Sequence, residues 1–166
     1  MWGSTTPNTA DECTWTKAPF NGGSSDYNRT YFNSVKDTVC PNGILAKGYD
    51  AATQIMGDDW RMPTKAEFQE LLDNTNKEWT QMNGVNGYKF TSNKEGYQDN
   101  SIFFPAAGYC NDGSVDGVGS DGYVWSSSLD TSYPFSGAWY LSFSSGYCDL
   151  YSGNLCDGQS VRGVCK

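Results

Sequence analysis

The chain has 166 residues, 37% hydrophobic and 15% aromatic, with 19 acidic against 11 basic side chains and a formal net charge of −8. That is enough apolar material for one cored domain, and the acidic balance argues against a phosphate-tracking nucleic-acid binder and a polybasic membrane anchor. There is no histidine, which removes the Ser-His-Asp triad, the Cys-His dyad and histidine-ligated zinc together.

Residues 1–48 are rich in Gly, Ser, Thr, Asn and Pro. They read as irregular structure with one or two short strands, packed on the same domain as the rest. Asn28-Arg29-Thr30 fits a glycosylation sequon, a triplet common by chance. Met1-Trp2-Gly3-Ser4 lacks the charged and apolar tract of a secretory signal, so any leader or anchor is expected outside this chain. No run approaches the roughly 18 apolar residues of a membrane helix, and direct membrane insertion is not expected. Tyr49 to Met56 predicts a short helix closed by Gly57. Thr64 with Glu67 three residues later is a capping box, opening a second helix whose Phe68, Leu71 and Leu72 form an apolar stripe and which stops at Asp73-Asn74. Beyond Glu78, short runs of Tyr, Phe, Trp, Val and Ser alternate with Asn-Gly and Asp-Gly turns. They predict strands near 78–82, 87–92, 101–106, 122–127, 137–144 and 160–165. The fold class is α+β: two helices leading into an antiparallel sheet with long loops.

From Asp99 to Gly158 there is no Lys, Arg, Glu, Gln or Met, while Asp occurs seven times, so nearly all the net charge lies in this window. Tyr, Ser, Gly, Asn and Asp take their place, the alphabet that antibody paratopes use: Tyr gives rigid amphipathic contact area, and Ser, Gly and Asn give adaptable hydrogen bonding. Strand and turn preferences explain part of the bias, but not the loss of every base from hairpin surface. Tyr109, Tyr133, Phe135, Tyr140, Tyr147 and Tyr151 are therefore contact candidates, whereas Trp125 and Trp139, inside strand-like runs, read as core. Trp15 and Trp79 are candidates to line a pocket, but a single tryptophan in a loop-rich segment reads first as core or as packing against a helix. Arg61 and Arg162 are expected to pair with carboxylates or cap carbonyls. No two of the six cysteines form a C-x-x-C pair. Cys13 with Cys40 is the first disulfide to expect and Cys148 with Cys156 a second possibility, with Cys165 as a buried thiol.

Several motifs occur in a telling order: Trp60-Arg61-Met62-Pro63-Thr64, Glu67-Phe68, Glu70-Leu71-Leu72, Asn83-Gly84-Val85-Asn86-Gly87-Tyr88, Phe104-Pro105-Ala106-Ala107-Gly108, Trp125-Ser126-Ser127-Ser128 and Ser160-Val161-Arg162. In that order, over about residues 49–166, the chain resembles the major paralogous domain of surface proteins from gut anaerobes. The close, Val161 to Cys165, also resembles the terminus of variable proteins made by diversity-generating retroelements. The resemblance implies a C-type-lectin-like fold of the formylglycine-generating-enzyme type, with a variable region at about 109–158. In such systems AAY codons are randomised at their adenines, which cannot yield Lys, Glu, Gln, Met or Trp. Between Asp130 and Gly158 only Trp139 falls outside the attainable set.

The function implied is a non-enzymatic display protein or adhesin, on a cell surface, secreted or on a phage virion, that recognises a protein or glycan partner on another cell or virion. No nucleic acid and no cofactor are expected. The ligand-binding set is Tyr109, Asn111, Asp112, Ser132, Tyr133, Phe135, Tyr140, Ser142, Tyr147, Asp149, Tyr151, Asn154 and Asp157. Two alternatives stand beside it. Cys148 and Cys156 are candidates for the copper-binding pair of a formylglycine-generating-type oxidase, and Asp112, Asp116 and Asp121 are candidate oxygen ligands of a calcium lectin or adhesin module.

Overall fold

The computed structural model describes residues 1–132 and 137–165; the expected contact residues Tyr133 and Phe135 lie outside them. In chain order the described elements are α1 (Arg29–Val39), α2 (Ala51–Met56), β1 (Trp60–Arg61), α3 (Lys65–Asp73), β2 (Thr75–Met82), β3 (Val85–Ser92), β4 (Ser101–Pro105), β5 (Ala107–Asn111), β6 (Ser114–Val118), β7 (Asp121–Leu129), β8 (Gly137–Ser144), β9 (Tyr147–Asn154) and β10 (Val164–Cys165), with short 3₁₀ turns in the N-terminal part. The architecture is α+β, and its antiparallel sheets include a curled half-barrel.

The helices follow their caps. The Thr64 hydroxyl accepts from the Glu67 amide at 3.2 Å, and the Glu67 carboxylate accepts from the Thr64 amide at 2.8 Å, closing the expected box at the start of α3. Asp50 caps α2, its carboxylate accepting from the Thr53 amide at 2.9 Å, and Gly57 ends that helix at φ 96°. Helix α1 corrects the expectation of two helices and of short strands in residues 1–48. Asn28 accepts from the Tyr31 amide at 3.0 Å, and Phe32 and Val39 bury one side of the helix. Averaged over the segment, turn-forming residues hide that stripe, and tertiary burial outweighs the weak propensity of its Thr, Asn, Val and Asp.

Among the described residues three sheets form: β1-β10, β2-β3-β4 and β6-β5-β7-β8-β9. The last is antiparallel except where Gly108 of β5 faces Gly122 of β7 in parallel. A Cβ on Gly122 would overlap the Phe143 ring, and one on Gly108, at φ +69°, would strike the Asp116 carbonyl. Glycine at 122 thus leaves room for the Phe143 ring of β8, and glycine at 108 lets β5 run close to the backbone of β6. Strands β5, β6 and β9 were not expected, and the strand expected at 160–165 shrinks to two residues.

The five-stranded sheet separates two cores. Laterally paired residues share a face. Val124, Leu141 and Phe143 point to one side and pack with Phe68, Leu72, Tyr88, Phe90 and Phe104. On the other side Trp125, Leu129 and Ala138 pack with Trp2, Phe20, Phe32, Val39, Leu45 and Met62. Residues 1–52 thus supply much of this second core. The indole of Trp2 donates to the Ser126 carbonyl at 2.8 Å.

The sequence motifs interlock. The Ser127 amide donates to the Pro63 carbonyl at 2.8 Å, the Lys65 amide to the Ser128 hydroxyl at 3.0 Å, and the Trp125 amide to the Ser160 carbonyl at 3.0 Å. Arg61 grips Glu67 through two guanidinium nitrogens, at 2.6 and 2.5 Å. That pair, with the capping bonds, holds the Glu67 carboxyl down at about 2. Arg162 departs from expectation: it sits over the Phe104 ring, 5.5 Å from the centroid, and among the described residues it meets no carboxylate. Trp125 is fully buried as expected, but Trp139 is half-buried, with Lys65 Nζ 3.1 Å from its ring centroid.

The cysteines also differ. Cys13 bridges Cys110, 97 positions along the chain and with Cα atoms 6.1 Å apart, not Cys40, which is a buried free thiol. Cys148 and Cys156 are free, and Cys165 is exposed instead of buried. The pairing was unreadable because Cys110 lies in β5, where the Cys13 carbonyl accepts from the Asp112 amide at 2.9 Å, a contact that exists only in three dimensions.

Candidate functional site

The face of the five-stranded sheet that carries Trp125 packs on the N-terminal part around Trp125 and leaves Tyr147 and Tyr151 exposed. Pairing sets Tyr123 beside Ser142 and Asp149, Trp125 beside Tyr140 and Tyr151, and Asp121 beside Ser144 and Tyr147. With strand alternation this collects tyrosines from four strands: Tyr109 of β5, Tyr123 of β7, Tyr140 of β8, and Tyr147 and Tyr151 of β9. Their rings form a chain, with centroids 4.8 Å apart for Tyr109 and Tyr123, 5.9 Å for Tyr123 and Tyr140, 6.4 Å for Tyr140 and Tyr151, and 6.1 Å for Tyr151 and Tyr147. Tyr140 also meets Trp125 edge-on at 5.5 Å, which anchors the open array to the covered core.

Exposure grades along this chain. Tyr151 is 47% and Tyr147 39% exposed, while Tyr109, Tyr123 and Tyr140 are half-buried. Burial pushes the Tyr123 phenol up, with neighbouring Tyr147, Asp121 and Tyr109 adding to it; burial, then Asp157, raises Tyr140. Both are therefore neutral hydrogen-bonding groups at physiological pH. Gly153 makes room for the array, since a Cβ there would meet the Tyr140 ring at 2.9 Å.

Of the residues singled out from the sequence, Tyr109, Tyr140, Ser142, Tyr147, Asp149 and Tyr151 are brought together on this face. Asp149 is exposed, but Ser142 is buried beneath the Tyr147 hydroxyl, 3.1 Å away. Asp157 is likewise buried, and burial lifts its carboxyl to about 6. Both residues are therefore covered, because alternation identifies a face and not what lies over it. Asn111, Asp112 and Asn154 gather elsewhere, around a cavity of about 520 Å³ that they share with Trp15, Thr14 and Thr16. Asp112 holds the β5–β6 turn at φ 44° before Gly113. Ser132 is exposed in the loop after β7.

One contributor was missed. Tyr123 lies within Tyr-Val-Trp-Ser-Ser, a run that reads as wholly buried strand; its spacing of two from Trp125 was the available signal. Trp15, read first as a packing residue, lines the cavity with Asn111 and Asp112.

The residues of the alternatives are placed differently. Cys148 packs against the core that holds Phe143, whereas Cys156 is buried beside Asp157, and burial pushes both thiols up to about 12. Asp112 sits in a turn, Asp116 in β6, and Asp121 accepts from the Ser120 hydroxyl at 2.6 Å; among the described residues no three His, Cys, Asp or Glu side chains cluster as a metal site.

No curated protein and no solved structure matches the chain. A family model described as a domain of unknown function, DUF8237, matches residues 73–164, from the end of α3 through the tyrosine face to β10. Because that match spans more than half of the sequence, the chain belongs to the DUF8237 family.

Proposed function

We propose that this protein is a recognition module, displayed on a cell or virion surface, that binds a protein or glycan partner through the tyrosine face of its five-stranded sheet. The observation that carries the reading is the unbroken ring contact from Tyr109 to Tyr147 on a face without a single Lys, Arg, Glu or Gln from β5 through β9. Large rigid rings with hydroxyl tips bury much area at low entropy cost, and both protein epitopes and sugar rings accept such surfaces. The C-type-lectin-like fold and retroelement diversification belong to the same reading. What supports them is the order of motifs from Trp60 to Arg162, and the exposure of Tyr147, Asp149 and Tyr151 at attainable-codon positions of a strand paired to the packed sheet. The separate cavity beside Trp15, with Asn111, Asp112 and Asn154, offers hydrogen-bonding groups of its own.

The test is binding of the purified domain to glycan arrays and to bacterial and host-cell surface extracts, beside the double variant Tyr147→Ala, Tyr151→Ala. A partner held by the native protein and released at least about tenfold faster by the variant is the expected outcome, since central aromatic residues dominate such interfaces. Equal retention by both proteins sinks the proposal.

A further inference from the structure

A second concavity lies outside the tyrosine face, with no lining residue from β5 through β9. It is a cleft of about 660 Å³ between α3, the ends of β3 and β4, and the segment leading into β10. We infer that it binds a small amphipathic anion, an acyl or aryl carboxylate, with the apolar body between Phe68, Leu71, Ile102 and Phe104 and the carboxylate at Arg162. The volume lies within the usual range for small-molecule sites, about 300–1,000 Å³, and is too small for a folded partner. Its apolar wall is accessible: Ile102 is 38% exposed and Leu71 half-buried.

Charge selects the ligand. Arg162 and Lys94 both line the cleft, and among the described residues neither has a carboxylate within 4.0 Å. Their cationic groups lie over ring faces instead, Arg162 5.5 Å from the Phe104 centroid and Lys94 5.4 Å from that of Tyr97. Two carboxylates line the same cleft. Glu67 is engaged by both guanidinium nitrogens of Arg61, and Glu70 is exposed to water. In a protein of net charge −8, this cleft therefore pairs an apolar floor with cations that have no anionic partner. A guanidinium resting on an aromatic floor presents its edge nitrogens to a carboxylate while the acyl or aryl body covers the apolar wall.

Decanoate is the probe, with the uncharged decanol and the cationic decyltrimethylammonium as controls, each read by displacement of the fluorescent anion 8-anilinonaphthalene-1-sulfonate. Saturable one-to-one displacement by decanoate is expected, tighter than by decanol and absent with decyltrimethylammonium. Arg162→Gln should weaken decanoate about tenfold, in keeping with loss of a charge-assisted contact, and leave decanol unchanged. Ile102→Glu, at an exposed position that does not threaten folding, should abolish decanoate binding, whereas Tyr151→Ala should not alter it. Displacement that never saturates, equal displacement by the cationic chain, or an Arg162→Gln protein that binds as before overturns the inference. So does an Ile102→Glu variant that changes only the oligomeric state, which would assign the cleft to a second copy of the chain.

Discussion

The two faces of the five-stranded sheet use the same backbone for opposite ends. On one, Phe143, Leu141 and Val124 are within 4% of complete burial and interdigitate with five aromatic or aliphatic neighbours. On the other, rings of the same size lie side by side with their edges in water. A pleated strand makes this division available at every second residue, so a protein can keep one set of side chains fixed by packing while the other set varies. Neither face needs the chain to change direction.

Truncation on the packed face should break the protein. Phe143→Ala removes a ring stacked on Phe104 and in edge contact with Tyr88, and should cost about 3–5 kcal/mol in urea denaturation. A loss below about 1 kcal/mol would show that the two faces do not differ as described.

Asp157 separates the faces by pH. Burial raises its carboxyl from 3.8 to about 6, so well below pH 3.8 it is protonated in both folded and unfolded chains and has no effect on stability. As pH rises from 4 to 6 the unfolded chain ionises first, and the folded state loses about 2–3 kcal/mol, a cost that persists above pH 6. Glu67 has the opposite sign: its contribution is complete above pH 4.5 and disappears as pH falls toward 2, so the two windows barely overlap. Asp157→Asn should therefore flatten the stability profile between pH 4.6 and 7 while leaving the acid limb below pH 4 in place. An unchanged slope between pH 4.6 and 7 would mean that the carboxyl beneath Tyr140 is hydrated.

The smallest effect belongs to the open face. Tyr151→Ala should change stability by about 0.5–1 kcal/mol, the worth of its ring contacts, measured in the same urea titration. A cost like that of Phe143→Ala would identify Tyr151 as a core residue.

How much of this was legible in the sequence follows from the range of each signal. Helix α3 was readable to the residue because Thr64, Glu67, Phe68 and Leu72 state its cap and stripe within nine positions. Strand β9 was not, although Cys148 and Leu150 alternate with Tyr147, Asp149 and Tyr151, because Gly, Ser, Asp and Asn around them carry the composition of a loop. The tyrosine candidates were found by what the window lacks, a signal that needs no fold. Tyr123 and the cover over Ser142 and Asp157 depend on residues more than a hundred positions apart in some cases, such as Trp2 against Ser126, and no local pattern announces them.

The bond between Cys13 and Cys110 also has a bearing on proteolytic damage. It spans the exposed turn from Lys94 to Asn100, the most open stretch between two strands of the same sheet. A tryptic cut after Lys94 would divide the polypeptide without dividing the molecule: both fragments would migrate together in a non-reducing gel and separate once reductant is added.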